Sequence, residues 1–158
     1  MKNGGSEGDF CRLHTPEKRL ELARNLRHQN PHTIPVILER RADCTSLPAL
    51  DHCKLLVSDT MDSTALLRII RDKLRLPDDA QVALFWKGPD GKYRDVASAP
   101  SRSALALYDL AKADDNLLYL VYGPPLPRSI DWQTLAIAGA IGTALIGIGW
   151  ALFSKRRK

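Results

Sequence analysis

The feature that most constrains this chain is a long run near its end that carries no charge. Between Asp131 and Lys155 no residue is ionised, and Leu135 to Phe153 holds nothing more polar than threonine. As a helix, that stretch is about 28 Å long at about 1.5 Å per residue, enough to cross a bilayer's hydrocarbon core. Trp132 and Trp150 stand near its two ends, where amphipathic indoles favour the interface. A buried core helix usually keeps a polar face, and this run has none. Its position excludes a signal peptide. The expectation is a single-pass transmembrane helix over 132–154, followed by the basic tail 155–158. Such a tail anchor inserts after translation and leaves the N-terminal part in the cytosol. Gly139, Thr143 and Gly147 fall four apart, a small-residue stripe along which two such helices can approach and form a homodimer.

The rest of the composition reads differently once this segment is set aside. The formal net charge is +5, and subtracting the four bases at 155–158 leaves +1. A nearly neutral remainder argues against a nucleic-acid partner, which needs a basic face. The three cysteines, Cys11, Cys44 and Cys53, are scattered and odd in number, as in a reduced cytosolic protein. Cys11-x-x-His14 and His52-Cys53 lack the paired spacing of a zinc site, so no metal and no cofactor are expected. No serine-nucleophile, phosphate-loop or metalloenzyme motif occurs, and the chain is read as a non-enzyme. Residues 1–9 are polar and glycine-rich, and are expected to be flexible. About 110 residues remain for one domain over 10–123, joined to the apolar run by the proline-rich linker 124–131.

Within that domain the punctuation is clear. Thr15-Pro16-Glu17 supplies a cap, a first-turn proline and an acid at the positive end of the dipole, so a helix is predicted to run to Gln29. Asn30-Pro31 stops it. Ile34 to Arg40 and Lys54 to Ser58 read as strands. Asp62-Ser63 opens a helix to Leu74, Ala80 to Trp86 is a third strand, and Gly88-Pro89-Asp90-Gly91 is a turn. A short helix over Ser103–Lys112 and a last strand over Leu117–Tyr122 complete the order. That order predicts an α+β roll with the long helix packed on a mixed sheet.

Two elements hold more apolar surface than architecture requires. Leu67, Ile70 and Leu74 suffice to pack one helix on the sheet, yet Leu66 and Ile69 form a second stripe. That stripe either widens the core contact or lines a groove. The strand Lys54-Leu55-Leu56-Val57 is short but apolar on both faces. It is either a buried strand or a sheet edge to which a peptide adds by main-chain pairing.

The ordered fragments Glu17-Lys18-Arg19, Ile34-Pro35-Val36-Ile37, Glu39-Arg40, Leu47-Pro48, Lys54-Leu55-Leu56-Val57, Ile69-Ile70-Arg71 and Leu117-Leu118-Tyr119 resemble the ubiquitin-like autophagy modifiers of the GABARAP and microtubule-associated light-chain type. The resemblance spans Phe10 to Tyr122. It implies a ubiquitin-like β-grasp core with added N-terminal helices, and a receptor for aromatic-x-x-aliphatic peptides of autophagy receptors or machinery. Carried over by position, it implies an aromatic pocket of Leu22, Leu26, Pro35, Ile37, Lys54, Leu56 and Leu117. The aliphatic pocket it implies comprises Leu55, Val57, Leu66, Ile69 and Ile70, with Lys54 meeting an acidic flank. Leu55 and Leu117 stand where the family usually has an aromatic, Ser58 where it has proline, and Asn116 where it has glycine.

The largest departure is at the end of the domain. Members of that family finish in a phenylalanine-glycine whose glycine is joined to a lipid. Here Gly123 is followed by Pro124-Pro125, and no other glycine occurs before Gly139, so lipid conjugation is not expected. The spanning helix stands in for the lipid, with about 20 Å of standoff across the linker at about 3.1 Å per residue. The expected function is a membrane-anchored ubiquitin-like adaptor. Two alternatives stay open: a tethering or trafficking protein that kept only the fold, and a precursor cleaved after Gly123. The glycine-rich helix and basic end resemble mitochondrial outer-membrane tail anchors, with the endoplasmic reticulum or an autophagosomal membrane as the other locations.

Overall fold

A computed structural model describes residues 6–99 and 103–127. All of its elements belong to one unit, Met1–Pro125; of the second unit, Leu126–Lys158, only Leu126 and Pro127 are described. The expected spanning helix 132–154, its small-residue stripe and the basic tail lie outside the described residues. Among the described residues no helix is long and apolar enough to cross a membrane.

In chain order the elements are α1 (Asp9–Leu13), α2 (Pro16–Gln29), β1 (Thr33–Arg40), β2 (Lys54–Ser58), α3 (Ser63–Leu74), β3 (Ala83–Lys87), β4 (Tyr93–Asp95), a 3-10 turn (Val96–Ser98), α4 (Ala104–Ala111) and β5 (Leu118–Gly123). The sheet order is β2-β1-β5-β3-β4, with β1 and β5 parallel and the other pairs antiparallel. Caps fix the helix starts: Thr15 accepts from the Lys18 amide, Asp62 from Ala65 at 2.6 Å, and Ser103 from Ala106. Arg75 ends α3 in the left-handed region, φ 51°, while the amides of Arg75 and Leu76 reach back to Asp72 and Arg71. That is a Schellman ending built without glycine.

Alternation along β1 divides the interior in two. Ile34, Val36 and Leu38 face α3 and α4, joining Leu66, Ile70 and Leu74 in the main core. Ile37 faces the other way, into a smaller cluster with Phe10, Ala23, Cys53 and Leu117 beneath α1 and α2. The Tyr122 hydroxyl fastens the long β1–β2 connection, accepting from the Leu50 amide at 3.0 Å and donating to the Pro48 carbonyl at 2.8 Å.

The structure departs from the sequence reading in four places, the first being the short strand β4, which was not expected. β3 begins at Ala83, not Ala80, because Arg71 donates to the carbonyls of Pro77, Asp78 and Ala80 and holds them in a turn. Residues 6–9, placed in the flexible terminus, are folded: Ser6 bridges Arg40, the Glu7 amide donates to the Arg40 carbonyl, and Asp9 starts α1. The core stripe of α3 is Leu66, Ile70 and Leu74, with Leu67 packed at its margin.

Candidate functional site

β2 is an edge strand. Among the described residues it pairs only with β1, with Ile34 opposite Val57, Pro35 opposite Leu56 and Ile37 opposite Lys54. The Leu38 amide donates to the Cys53 carbonyl at 2.7 Å, so Cys53 turns its main chain inward. Main-chain groups of an extended strand alternate, so those of Leu55 and Val57 also face β1. Those of Lys54 and Leu56 therefore point off the sheet, each offering an N–H and a carbonyl to another strand. The Ser58 carbonyl accepts from Met61 and closes the row.

Side chains divide across this edge. Val57 is 3% exposed in the main core, whereas Leu56, on the opposite face, is 45% exposed. Of the expected aromatic pocket, Pro35, Ile37 and Leu117 are buried, Leu22 and Leu26 are half-buried, and Lys54 and Leu56 are exposed. Ile37, Leu117 and Leu22 meet in one cluster. Leu56, opposite Pro35, shares their face of the sheet. Those positions form a floor of buried aliphatics with an exposed rim.

The expected aliphatic pocket is more deeply sunk. Val57, Leu66 and Ile70 are buried in the main core, with Leu55 packed half-buried against them. Ile69 is half-buried on α3, outside that cluster. Leu66 is thus a core residue, and the only side chains of this set left partly open are Leu55 and Ile69.

Four residues of the first pocket escaped the sequence reading: the buried Phe10, Ala23 and Cys53, and the half-buried Tyr119 packed against them. Phe10 is fixed through its backbone, since the buried Glu39 carboxylate accepts from the Gly8 amide at 2.8 Å and the Phe10 amide at 2.7 Å. Burial, and then the nearby Asp9 and Glu7 charges, push the Glu39 carboxyl above the usual range, against the pull of those two bonds. The Lys54 ammonium lies 5.5 Å from the Phe10 ring centroid. A lone phenylalanine in an otherwise polar start was the available signal.

Three cations act on His14, at the end of α1. Partial burial, and then the charges of Lys54, Lys18 and Arg19, hold the His14 imidazole below its ordinary value. Asp115 fixes the back wall: it accepts from Arg19 Nε at 2.8 Å, from the Tyr119 hydroxyl at 2.7 Å and from the Leu117 amide at 3.2 Å. The start of α2 is thereby tied to the start of β5. The hydrogen bond to Asp115 raises Arg19, and burial followed by that bond raises Tyr119.

Gly123, the last residue of β5, is buried and faces Ala83 of β3. A Cβ built on it would come within 3.1 Å of the Arg41 guanidinium. That guanidinium stacks over Phe85 at 5.2 Å and donates to Asp43 and to the Pro124 carbonyl.

Residues 18–125 match the family described as "Autophagy protein Atg8 ubiquitin like". Among curated proteins, Autophagy-related protein 8 of Mycosarcoma maydis is 30% identical over 113 residues, which is 72% of this chain and 89% of that protein. Protein lgg-2 of Caenorhabditis elegans is 34% identical over 110 residues, covering 70% and 78%. The crystal structure of Trypanosoma brucei ATG8 superposes with a TM-score of 0.60 at 22% identity, covering 72% of this chain and 93% of that one. The chain belongs to the Atg8 family of ubiquitin-like autophagy proteins, and its sheet and helices are that family's fold.

Proposed function

We propose that this protein is a non-enzymatic autophagy adaptor that docks aromatic-x-x-aliphatic segments along β2 and is held at a membrane by a spanning helix over 132–154. The observation that carries the docking half is the free β2 edge, where exposed Leu56 and outward main-chain groups lie beside a buried aliphatic floor. A bound segment continues the sheet past Lys54 and Leu56, sets its aromatic side chain over Ile37 and Leu117, and sets its aliphatic one between Leu55 and Ile69. Lys54 attracts acidic residues before the aromatic. The membrane half is supported by the uncharged run 132–154 in the sequence. Gly123, sealed beneath Arg41 and followed by two prolines, is a poor substrate for cleavage or lipid transfer. The basic residues after the run favour the mitochondrial outer membrane.

Titration of the full chain in nanodiscs with a fluorescein-labelled aromatic-x-x-aliphatic peptide tests the docking half. Saturable binding that disappears when the aromatic is replaced by alanine is expected. No binding at high micromolar concentration would leave a tether that kept only the fold. Alkaline carbonate extraction and imaging against organelle markers test the other half. The full chain should stay in the membrane pellet and coincide with mitochondria; release into the supernatant would refute the anchor.

A further inference from the structure

A second cleft lies between α2 and α4, away from β2. It encloses about 420 Å³, and its walls include Arg24 and Arg27 from α2, Leu105 and Tyr108 from α4, and Lys112 just after it. The Tyr108 ring is buried and its hydroxyl donates to the Asn116 carbonyl at 3.0 Å, so the ring is fixed. The Arg27 guanidinium carbon lies 5.2 Å from the ring centroid, and the Lys112 ammonium nitrogen 5.0 Å from it. Two cations are therefore held within about 10 Å of each other by one aromatic ring. The Arg24 side chain has no ion-pair or hydrogen-bond partner among the described residues. The carboxylate within this cleft is Asp109, largely exposed and 3.8 Å from Lys112. Three cations face one carboxylate, and Leu105, 43% exposed, lies beside them.

We infer that this cleft is a docking site for an acidic peptide segment in which an aliphatic side chain adjoins a carboxylate. The carboxylate sits among Arg24, Arg27 and Lys112, where it relieves repulsion between cations already held together. The aliphatic group covers Leu105. A free phosphate would satisfy the charges but would leave that leucine exposed to water. A nucleic acid is disfavoured by a net charge of only +1 outside the basic tail. The cleft touches the cluster beside β2 only through buried Ala23, while its cations and Leu105 lie outside that cluster, so one chain can hold two segments at once.

The test is fluorescence polarisation of the full chain in nanodiscs with a labelled peptide of alternating Glu and Leu. Saturable binding is expected, weakened at least about tenfold by the double substitution Arg24→Glu with Lys112→Glu, and severalfold by Leu105→Ala. Both charged positions are exposed, and an unchanged melting temperature would show that the fold is intact. Retained affinity in the double variant would overturn the proposal. So would loss of binding in Lys54→Glu with Leu56→Ala instead, which would move the peptide to the β2 edge. Displacement by low-millimolar inorganic phosphate, with Leu105→Ala silent, would also overturn it by reducing the cleft to a simple anion site.

Discussion

The sheet has two edges, and they are finished differently. β4 spans three residues, Tyr93, Arg94 and Asp95, and every one is committed elsewhere. The Tyr93 hydroxyl donates to Glu7, Arg94 pairs with Asp90, and the Asp95 carboxylate caps the 3-10 turn that follows. Burial and the Glu7 bond push the Tyr93 phenol up to about 12. Short and charged, β4 is protected in the way edge strands usually are. β2 has five residues, outward main-chain groups at Lys54 and Leu56, and an exposed leucine at its centre. That difference is what the proposed docking of a strand on β2 rests on.

The contrast sharpens across β2 itself, where one face is core and the other is rim. Leu66→Ala should open a cavity beneath the strand and cost about 2–5 kcal/mol of stability, read as a lower denaturation midpoint. Its effect on peptide binding would follow from lost folding, so it is a poor probe of docking. Leu56→Ala removes an exposed side chain and should leave the midpoint near the parent value. It should weaken an aromatic-x-x-aliphatic peptide by about five- to thirtyfold. If Leu56→Ala proves as destabilising as Leu66→Ala, the outer face is core as well and the contrast fails.

Lys54→Glu should cost about two- to fivefold in affinity for an acid-flanked peptide. The loss should shrink as salt rises, because Lys54 is exposed. The same loss at high and low salt would point to a contact other than charge.

Glu39 gives the smallest effect and tests how Phe10 is held. Its folded-state pKa is raised, so ionised Glu39 opposes folding at neutral pH. That penalty is relieved as pH falls through the raised value toward the ordinary carboxylate range, so this group alone makes the domain more stable there. Glu39→Gln should flatten that trend while speeding hydrogen exchange at the Gly8 and Phe10 amides, which lose one acceptor. Unchanged exchange at both would show that α1 is held by Phe10 packing alone.

Much of the fold was legible because its punctuation is chemical. Thr15-Pro16 and Asp62 cap α2 and α3 where the sequence placed them, Ser103 caps α4 instead of beginning it, and Gly91, at φ +75°, closes the expected turn. α1 was not legible: five residues with one buried side chain carry no periodicity, and the helix depends on Glu39, 29 residues from Phe10 in sequence. At the site, sequence singled out Lys54 to Val57 as a short strand apolar on both faces but could not tell whether it was edge or interior, since that depends on strand order. It also could not divide the α3 leucines, because stripes at 66, 70, 74 and at 67, 70, 74 fit a helix equally well. Packing against β1 selects the first.

The central claim is that β2, not β4, receives a peptide strand. Amide hydrogen exchange on the full chain in nanodiscs, with and without saturating aromatic-x-x-aliphatic peptide, tests it residue by residue. The Lys54 and Leu56 amides, which point off the sheet, should exchange fast in the free protein and become protected on binding. Tyr93 to Asp95 should not change. Protection along β4, or none at Lys54 and Leu56 when the peptide is bound, would contradict this account.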